Sequence, residues 1–225
     1  MLDDLFAKLF PKKPALPGGP VEYIIAGLGN PGSQYEDTRH NAGYLALDHI
    51  AKEYGVSVSR AQFKSFTGQA VIAGKKVLLL KPATYMNLSG QAVVEALNFH
   101  KLTVENLLVI YDDVALPAGS MRIRREGSAG GQGGMKNIIY LTGQDTFPRI
   151  RIGVGGKPHE GIDLKDWVLG RFTKEEWELI LPVFDQTKQA AEQIVGGDIT
   201  QAMNLFNKRH IGPKPPEHQP GEGGP

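Results

Sequence analysis

The 225-residue chain contains no cysteine, and this absence excludes whole classes of protein. Without cysteine there is no disulfide framework and no thiolate metal site. The six histidines are scattered and lack the short spacings of metal ligands, so we expect no metal site. A chain without disulfides fits a reducing compartment, and a cytoplasmic location is therefore predicted.

The sequence also lacks a long hydrophobic run and a strong excess of one charge. No segment approaches the roughly 20 apolar residues of a membrane span, and residues 1–10 are too short and too acidic at their start for a signal peptide. We therefore expect no membrane partner. The formal net charge is +1, and 41% hydrophobic with 22% charged residues is ordinary for one globular domain.

Both ends of the sequence differ in composition from the part between them. Residues 1–20 are predicted to be an N-terminal extension, a short amphipathic segment followed by a Pro/Gly linker. Its apolar residues are compatible with a docking helix and with a frayed tail. Residues 211–225 are rich in proline and glycine and are predicted to be a disordered tail. These assignments leave one domain at 21–210.

Between the two ends, apolar runs alternate with amphipathic segments. The predicted strands are 23–26, 68–72, 76–81, 106–111, 121–125 and 149–154. The predicted helices are 42–54, 89–100, 133–141, 174–195 and 199–207. This alternation predicts an α/β fold, a single domain with a central mixed twisted sheet and helices on both faces.

The first glycine-rich loop follows the first predicted strand and contains a histidine, His40. Residues 27–32 read GLGNPG and match the G-x-G-x-x-G pattern of dinucleotide-binding loops. Such a loop must open a helix with an apolar stripe, whereas residues 33–41 read SQYEDTRHN and have none. A nucleotide-dependent oxidoreductase is therefore kept only as an alternative. Strand ends are where α/β enzymes carry their chemistry, so we expect function at this loop.

Two further polar segments are ambiguous when taken singly. Asp112 and Asp113 end a continuous apolar strand, where two acids also suit the start of a polar turn. Residues 81–90 read KPATYMNLSG and lead into a helix, so that Asn87 or Ser89 could simply be an N-cap.

Taken together, these segments resemble the bacterial-type peptidyl-tRNA hydrolases. The resemblance rests on GLGNPG-x-x-Y-x-x-T-R-H-N-x-G at 27–43, KP-x-T-Y-M-N-x-SG at 81–90 and DD-x-x-x-P-x-G at 112–119. GSAGG at 127–131, VLGRF at 168–172 and AMNLFN at 202–207 belong to the same pattern. The resemblance implies a monomer without a cofactor that hydrolyses the ester between a peptide and the 3'-terminal ribose of tRNA, and so recycles tRNA from abandoned translation.

The resemblance also implies a role for each motif residue. Ester cleavage needs an attacking water, a base with a pKa near neutrality and donors for the developing oxyanion. His40 matches the catalytic base of the family, and Asp112 matches the acid that hydrogen-bonds the imidazole. The implied substrate-binding residues are Asn30, Tyr35, Met86 and Asn87.

Basic residues concentrate between residues 116 and 157, as an RNA substrate requires. This segment holds seven basic and two acidic residues, a local charge of +5 in a chain of net charge +1. Arg122 and Arg124 alternate with apolar residues, as do Arg149 and Arg151, so each pair should project from one sheet face, as phosphate contacts or as a solvated strand face. Arg124 and Arg151 fall where the family places basic residues for tRNA phosphates. The implied partner is peptidyl-tRNA, through its acceptor stem and 3' end.

One departure from the family pattern bears on activity. Where family members commonly have His-Asn after GSAGG, this chain has Gln132-Gly133. We expect Gln132 to take over the substrate-binding role of the missing asparagine, since its amide has the same donors and acceptor. The alternative function is a catalytically weak or inactive RNA-binding protein on the same fold. Phosphate binding alone, however, requires neither His40 nor Asp112.

Overall fold

The computed structural model describes residues 18–207. The strands are β1 Tyr23–Gly27, β2 Arg60–Gln62, β3 Ser65–Ile72, β4 Lys75–Pro82, β5 Leu107–Asp113, β6 Met121–Arg124 and β7 Arg149–Gly153. The helices are α1 Ala42–Glu53, α2 Ser89–His100, α3 Gly133–Thr142, α4 Leu164–Leu169, α5 Lys174–Gly196 and α6 Ile199–Phe206. The predicted amphipathic segment at 1–10 and the predicted tail at 211–225 lie outside the described residues.

All seven strands form one mixed sheet in the order β2-β3-β4-β1-β5-β7-β6. The central strands β4, β1, β5 and β7 are parallel, whereas β2, β3 and β6 pair antiparallel with their neighbours. Alternation along each strand sends one apolar set to a core with α1, α5 and α6, and the other to a core with α2 and α3. The predicted α/β fold with helices on both faces is confirmed.

Two short elements were not predicted from the sequence. β2 has three half-exposed or exposed residues, and a two-residue turn joins it to β3, with φ of 53° at Phe63 and 49° at Lys64. Neither residue is one that such a turn favours, so the usual hairpin signal is absent. α4 has only six residues, too few to show a helical period, and begins at an Asp163 cap.

Close packing of α1 on the strands places the first loop over the sheet. A Cβ on Gly43 would lie 2.3 Å from the carbonyl oxygen of Ile110, and one on Gly27 would lie 2.4 Å from the carbonyl oxygen of Gly43. Only glycine allows this approach. Two single 3-10 turns, Ser33–Tyr35 and Arg39–Asn41, separate the GLGNPG loop from α1. The loop therefore does not open a helix as a dinucleotide loop does.

The parallel strands β1, β4, β5 and β7 all end at the same edge of the sheet. The segments that follow β1, β4 and β5 are the three polar motifs found in the sequence. Parallel sheets carry their sites at this edge, so the topology gathers the motifs in one place. No helix within residues 18–207 is both long and apolar enough to cross a membrane.

Candidate active site

His40 and Asp112 form a largely buried pair at the edge of the sheet where the parallel strands end. Nδ1 of His40 lies 2.8 Å from Oδ2 of Asp112. The side chain of His40 is 16% exposed and that of Asp112 is 3% exposed. Because Nδ1 faces the carboxylate, Nε2 is the ring nitrogen left for other chemistry.

The pKa of His40 is raised above its ordinary value of 6.5. Burial alone would lower this pKa, but the charge of Asp112 and its hydrogen bond to the imidazole together outweigh burial. Asp112 thus favours the imidazolium that forms when His40 takes up a proton. The pair has the geometry and the electrostatics of a general base with its orienting acid.

Asn30 is fixed by hydrogen bonds to two other loops. Its backbone NH donates to Oδ1 of Asn41 at 2.8 Å, and Nδ2 of Asn41 donates to the Asn30 carbonyl at 3.0 Å. Oδ1 of Asn30 accepts from the backbone NH of Met86 at 2.8 Å. The Asn30 carboxamide therefore has its acceptor engaged, and its NH2 group is left as a donor.

Asn87 is exposed and lies in the 3-10 turn Met86–Leu88 before α2. The N-cap position of α2 is Leu88, and it has no side-chain cap. Ser89 instead donates to the carbonyl oxygen of Met86 at 2.7 Å. The structure thus does not support the alternative that Asn87 or Ser89 is merely a helix cap.

Gln132 and Gly133 begin α3 beside the pair. Oε1 of Gln132 accepts from the backbone NH of Met135 at 2.8 Å and so caps the helix. Nε2 of Gln132 donates to Oδ1 of Asp112 at 3.1 Å and lies 3.1 Å from the sulfur of Met86. A Cβ on Gly133 would lie 2.1 Å from Oδ1 of Asn87. A side chain at 133 would therefore have to displace the end of the exposed Asn87 side chain.

These residues line one open cleft of about 470 Å³. The cleft brings together seven predicted site residues, namely Asn30, Tyr35, His40, Met86, Asn87, Asp112 and Gln132. α4 contributes four residues that were not predicted, Leu164, Lys165, Val168 and Leu169. The VLGRF motif was the available signal for this wall, since it overlaps the end of α4. No cluster of three or more metal-binding side chains occurs in residues 18–207.

The predicted arginines take three different environments. Arg124 is exposed, and Nε of Arg151 pairs with Oδ2 of Asp113, an acid that lines the cleft. Arg149 is fully buried and donates to backbone carbonyls of Phe147, Gly127 and Asp145. The prediction that Arg149 projects from an accessible basic face is wrong, because the loop at 125–131 and the residues before β7 enclose its guanidinium.

Arg39, the neighbour of His40, is a structural residue that the sequence did not reveal. Nη2 of Arg39 donates to both carboxylate oxygens of Glu176, at 2.7 and 3.0 Å. Its guanidinium carbon lies 3.7 Å from the ring centroid of Trp167 in α4. The backbone NH of Arg39 also donates to the carbonyl of Gly170 at 3.1 Å. These contacts tie the His40 turn to the α4 wall of the cleft.

Comparison with known proteins agrees with this site. The family model described as Peptidyl-tRNA hydrolase matches residues 24–214. A peptidyl-tRNA hydrolase of Caldanaerobacter subterraneus subsp. tengcongensis is 51% identical over 185 residues, which are 82% of this chain and 99% of that relative. One from Clostridium botulinum is 49% identical over 82% of this chain and 95% of that relative.

A solved structure shows the same architecture. The crystal structure of peptidyl-tRNA hydrolase from Acinetobacter baumannii superposes with a TM-score of 0.80 at 33% identity, covering 87% of this chain and all of that chain. Sequence and structure therefore agree over nearly the whole described domain, and the chain belongs to the peptidyl-tRNA hydrolase family.

Proposed function

We propose that this chain hydrolyses the ester bond between the peptide and the 3'-terminal ribose of peptidyl-tRNA, and so releases free tRNA during rescue of abandoned translation. The observation that carries this function is the His40–Asp112 pair at 2.8 Å within a cleft lined by three carboxamides, those of Asn30, Asn87 and Gln132. Family membership supplies the substrate class.

His40 acts as the general base. Its Nε2 accepts a proton from a water molecule while the water oxygen attacks the ester carbonyl. Asp112 holds Nδ1 protonated and stabilises the imidazolium. As the ester C–O bond breaks, the imidazolium returns the proton to the 3' oxygen of the ribose. The reaction consumes one water and needs no cofactor.

Asn30 and Asn87 bind the peptide end of the substrate. The Asn30 NH2 group can donate to a carbonyl or to the developing oxyanion, because the Asn30 acceptor is already bonded to Met86. Tyr35 and Met86 contribute cleft surface beside these amides, and Gln132 lies at the same wall. Every one of these residues comes from a single chain, so a monomer suffices for this site.

Arg124 and Arg151 contact phosphates of the acceptor stem. Arg124 is exposed on β6, and Arg151 lies on the adjacent strand β7, where it pairs in register with Arg122. Nη2 of Arg151 lies 3.8 Å from the position that a Cβ on Gly130 would take, and Gly130 lines the cleft. Phosphate contacts position an RNA without reading its sequence, which suits an enzyme that accepts many tRNAs.

The direct test is release of free tRNA from N-acetyl-aminoacyl-tRNA by the purified protein, with His40→Ala as control. Loss of the base should lower turnover by about 10²- to 10⁴-fold while tRNA binding is retained. An RNA-binding protein without hydrolase activity would instead bind the substrate and release no tRNA. Turnover of His40→Ala within a few-fold of wild type would show that His40 is not the base.

A further inference from the structure

The carboxylate of Asp112 is held at both of its oxygens. Oδ2 lies against Nδ1 of His40 at 2.8 Å, and Oδ1 accepts from Nε2 of Gln132 at 3.1 Å. We propose that Gln132 is a positioning residue, which orients Asp112 and through it His40, instead of contacting the substrate itself. This inference rests on the proposed function and deepens it.

The Gln132 carboxamide has no donor or acceptor group left unengaged. Its oxygen caps α3 through the backbone NH of Met135, and its two N–H groups face Asp112 and the sulfur of Met86. The side chain can adopt only this orientation of the amide. A flipped amide would set its oxygen against the Asp112 carboxylate and its NH2 against a backbone NH. Gln132 is also buried, so water does not compete for these contacts.

Helix α3 makes this amide a rigid support. The cap fixes Gln132 at the first turn of a ten-residue helix, and that helix packs on α2 through a bond from Gly90 NH to Oδ1 of Asn137 at 2.8 Å. Without Gln132, Oδ1 of Asp112 would be a buried acceptor with no partner, and the carboxylate would be free to rotate. A rotated carboxylate no longer holds the Nδ1 proton of His40 in place.

The surroundings of Gly133 also support a positioning role for Gln132. Oδ1 of Asn87 lies where a side chain at 133 would begin, so the cleft already has an amide in that space. Asn87, already a proposed substrate contact, can therefore supply the amide that an asparagine at 133 would place there. The Gln132 amide can then remain hydrogen-bonded to Asp112.

The test uses Gln132→Asn. Asparagine is a good N-cap, so α3 should keep its cap and the melting temperature should stay near that of wild type. Its side chain is one methylene shorter and does not reach Asp112. Two quantities are measured: the pKa of His40 by NMR of histidine-labelled protein, and kcat and KM for N-acetyl-aminoacyl-tRNA across pH.

We expect kcat to fall about ten- to a hundredfold with KM unchanged, because a hydrogen bond to a charged group is lost. The pKa of His40 should fall, because a loosened Asp112 opposes the effect of burial less well. The acidic limb of the rate profile should move to lower pH with it. Of the other charged cleft residues, Asp113 is paired with Arg151 and Lys165 lies on α4.

Asn137→Ala is the matched control. It removes a hydrogen bond from the same helix without touching Asp112, so it should lower the melting temperature and leave the pKa of His40 unchanged. A rise in KM for Gln132→Asn with an unchanged pH profile would overturn the proposal and make Gln132 a substrate contact. Unchanged kcat and an unchanged His40 pKa would overturn it as well. If wild type released no tRNA, the proposed function would fail, while the NMR titration would still decide the role of Gln132.

Discussion

The turn that carries His40 is held in place by contacts of its two chain neighbours. Asn41 fixes the Asn30 loop through two hydrogen bonds, and Arg39 anchors the same turn to α4 and α5. The motif residues were predictable because polar groups stood at strand ends and because the motifs together resemble those of the family. The partners of Arg39 were not, since Glu176 lies 137 positions away and no local pattern links the two.

Replacing Asp112 by Asn should change the pH dependence of hydrolysis. Both effects that raise the pKa of His40 come from Asp112, so without its charge burial dominates and this pKa falls. The acidic limb of kcat/KM should therefore move to lower pH. The maximal rate should also fall, because an amide can donate to Nδ1 and favour the wrong tautomer. A pH–rate profile identical to that of wild type would contradict the pairing.

Gly133→Asn should reduce hydrolysis, although it restores the residue common in the family. The new Cβ would meet Oδ1 of Asn87 at 2.1 Å, so Asn87 must move. The loss of one net hydrogen bond is worth about 0.5 to 1.5 kcal/mol, or about two- to thirteenfold in kcat/KM. Adding Asn87→Ala should then cause little further loss, because the two changes share one cause. A tenfold gain by Gly133→Asn would refute this explanation.

At the scale of elements, periodicity predicted the long helices and the buried strands to within a few residues. β5 was recognisable as a continuous apolar run because both of its faces are buried. β2 and α4 are too short to show a period, and contacts made elsewhere in the chain fix them. α4 depends on Arg39 beneath Trp167 and on a bond from Nε1 of Trp167 to the Gly155 carbonyl at 2.9 Å.

Arg39→Met should therefore weaken both the fold and the cleft. It removes the cation that pairs with the Glu176 carboxylate, which is 18% exposed and keeps a hydrogen bond from the Thr173 backbone NH. Breaking a fully buried ion pair costs about 3 to 5 kcal/mol, and the loss here should be smaller. We expect a lower free energy of unfolding in urea and a higher KM, because α4 lines the cleft. Arg39→Lys should recover only part of both, since lysine has no planar fork to stack on Trp167.

The control is Lys188→Ala in the half-exposed Lys188–Glu192 pair of α5. An i,i+4 pair of this kind is worth only about 0.3 to 0.5 kcal/mol. Equal losses of stability in the Arg39→Met and Lys188→Ala variants would show that Arg39 is an ordinary surface charge. An unchanged KM in the Arg39→Met variant would show that α4 does not shape the substrate site.

At the scale of the whole molecule, charge is distributed unevenly although the net charge is +1. β6 and β2 form opposite edges of the sheet, and Arg124 is exposed on β6 as Arg60 is on β2. This arrangement gives a matched pair of exposed arginines on opposite edges of the sheet: Arg124 lies next to β7, which carries Arg151, and Arg60 lies next to β3, which carries no basic residue.

Arg124→Ala should weaken tRNA binding and reduce the salt dependence by about one phosphate contact, whereas Arg60→Ala should change neither. Binding is measured at several salt concentrations, and hydrolysis of a short substrate without the tRNA body is measured beside it. The short substrate should be cleaved normally by both variants. Equal loss on the full and the short substrate would mean that Arg124 supports the site or the fold, not the RNA.

Asp112 and Asp113 are consecutive residues at the end of β5, yet one pairs with His40 and the other with Arg151. Strand alternation sends such neighbours to opposite faces, while their Cα atoms stay about 3.8 Å apart. In the proposed complex, the end of β5 thus links the base that cleaves the ester to an arginine that contacts the RNA.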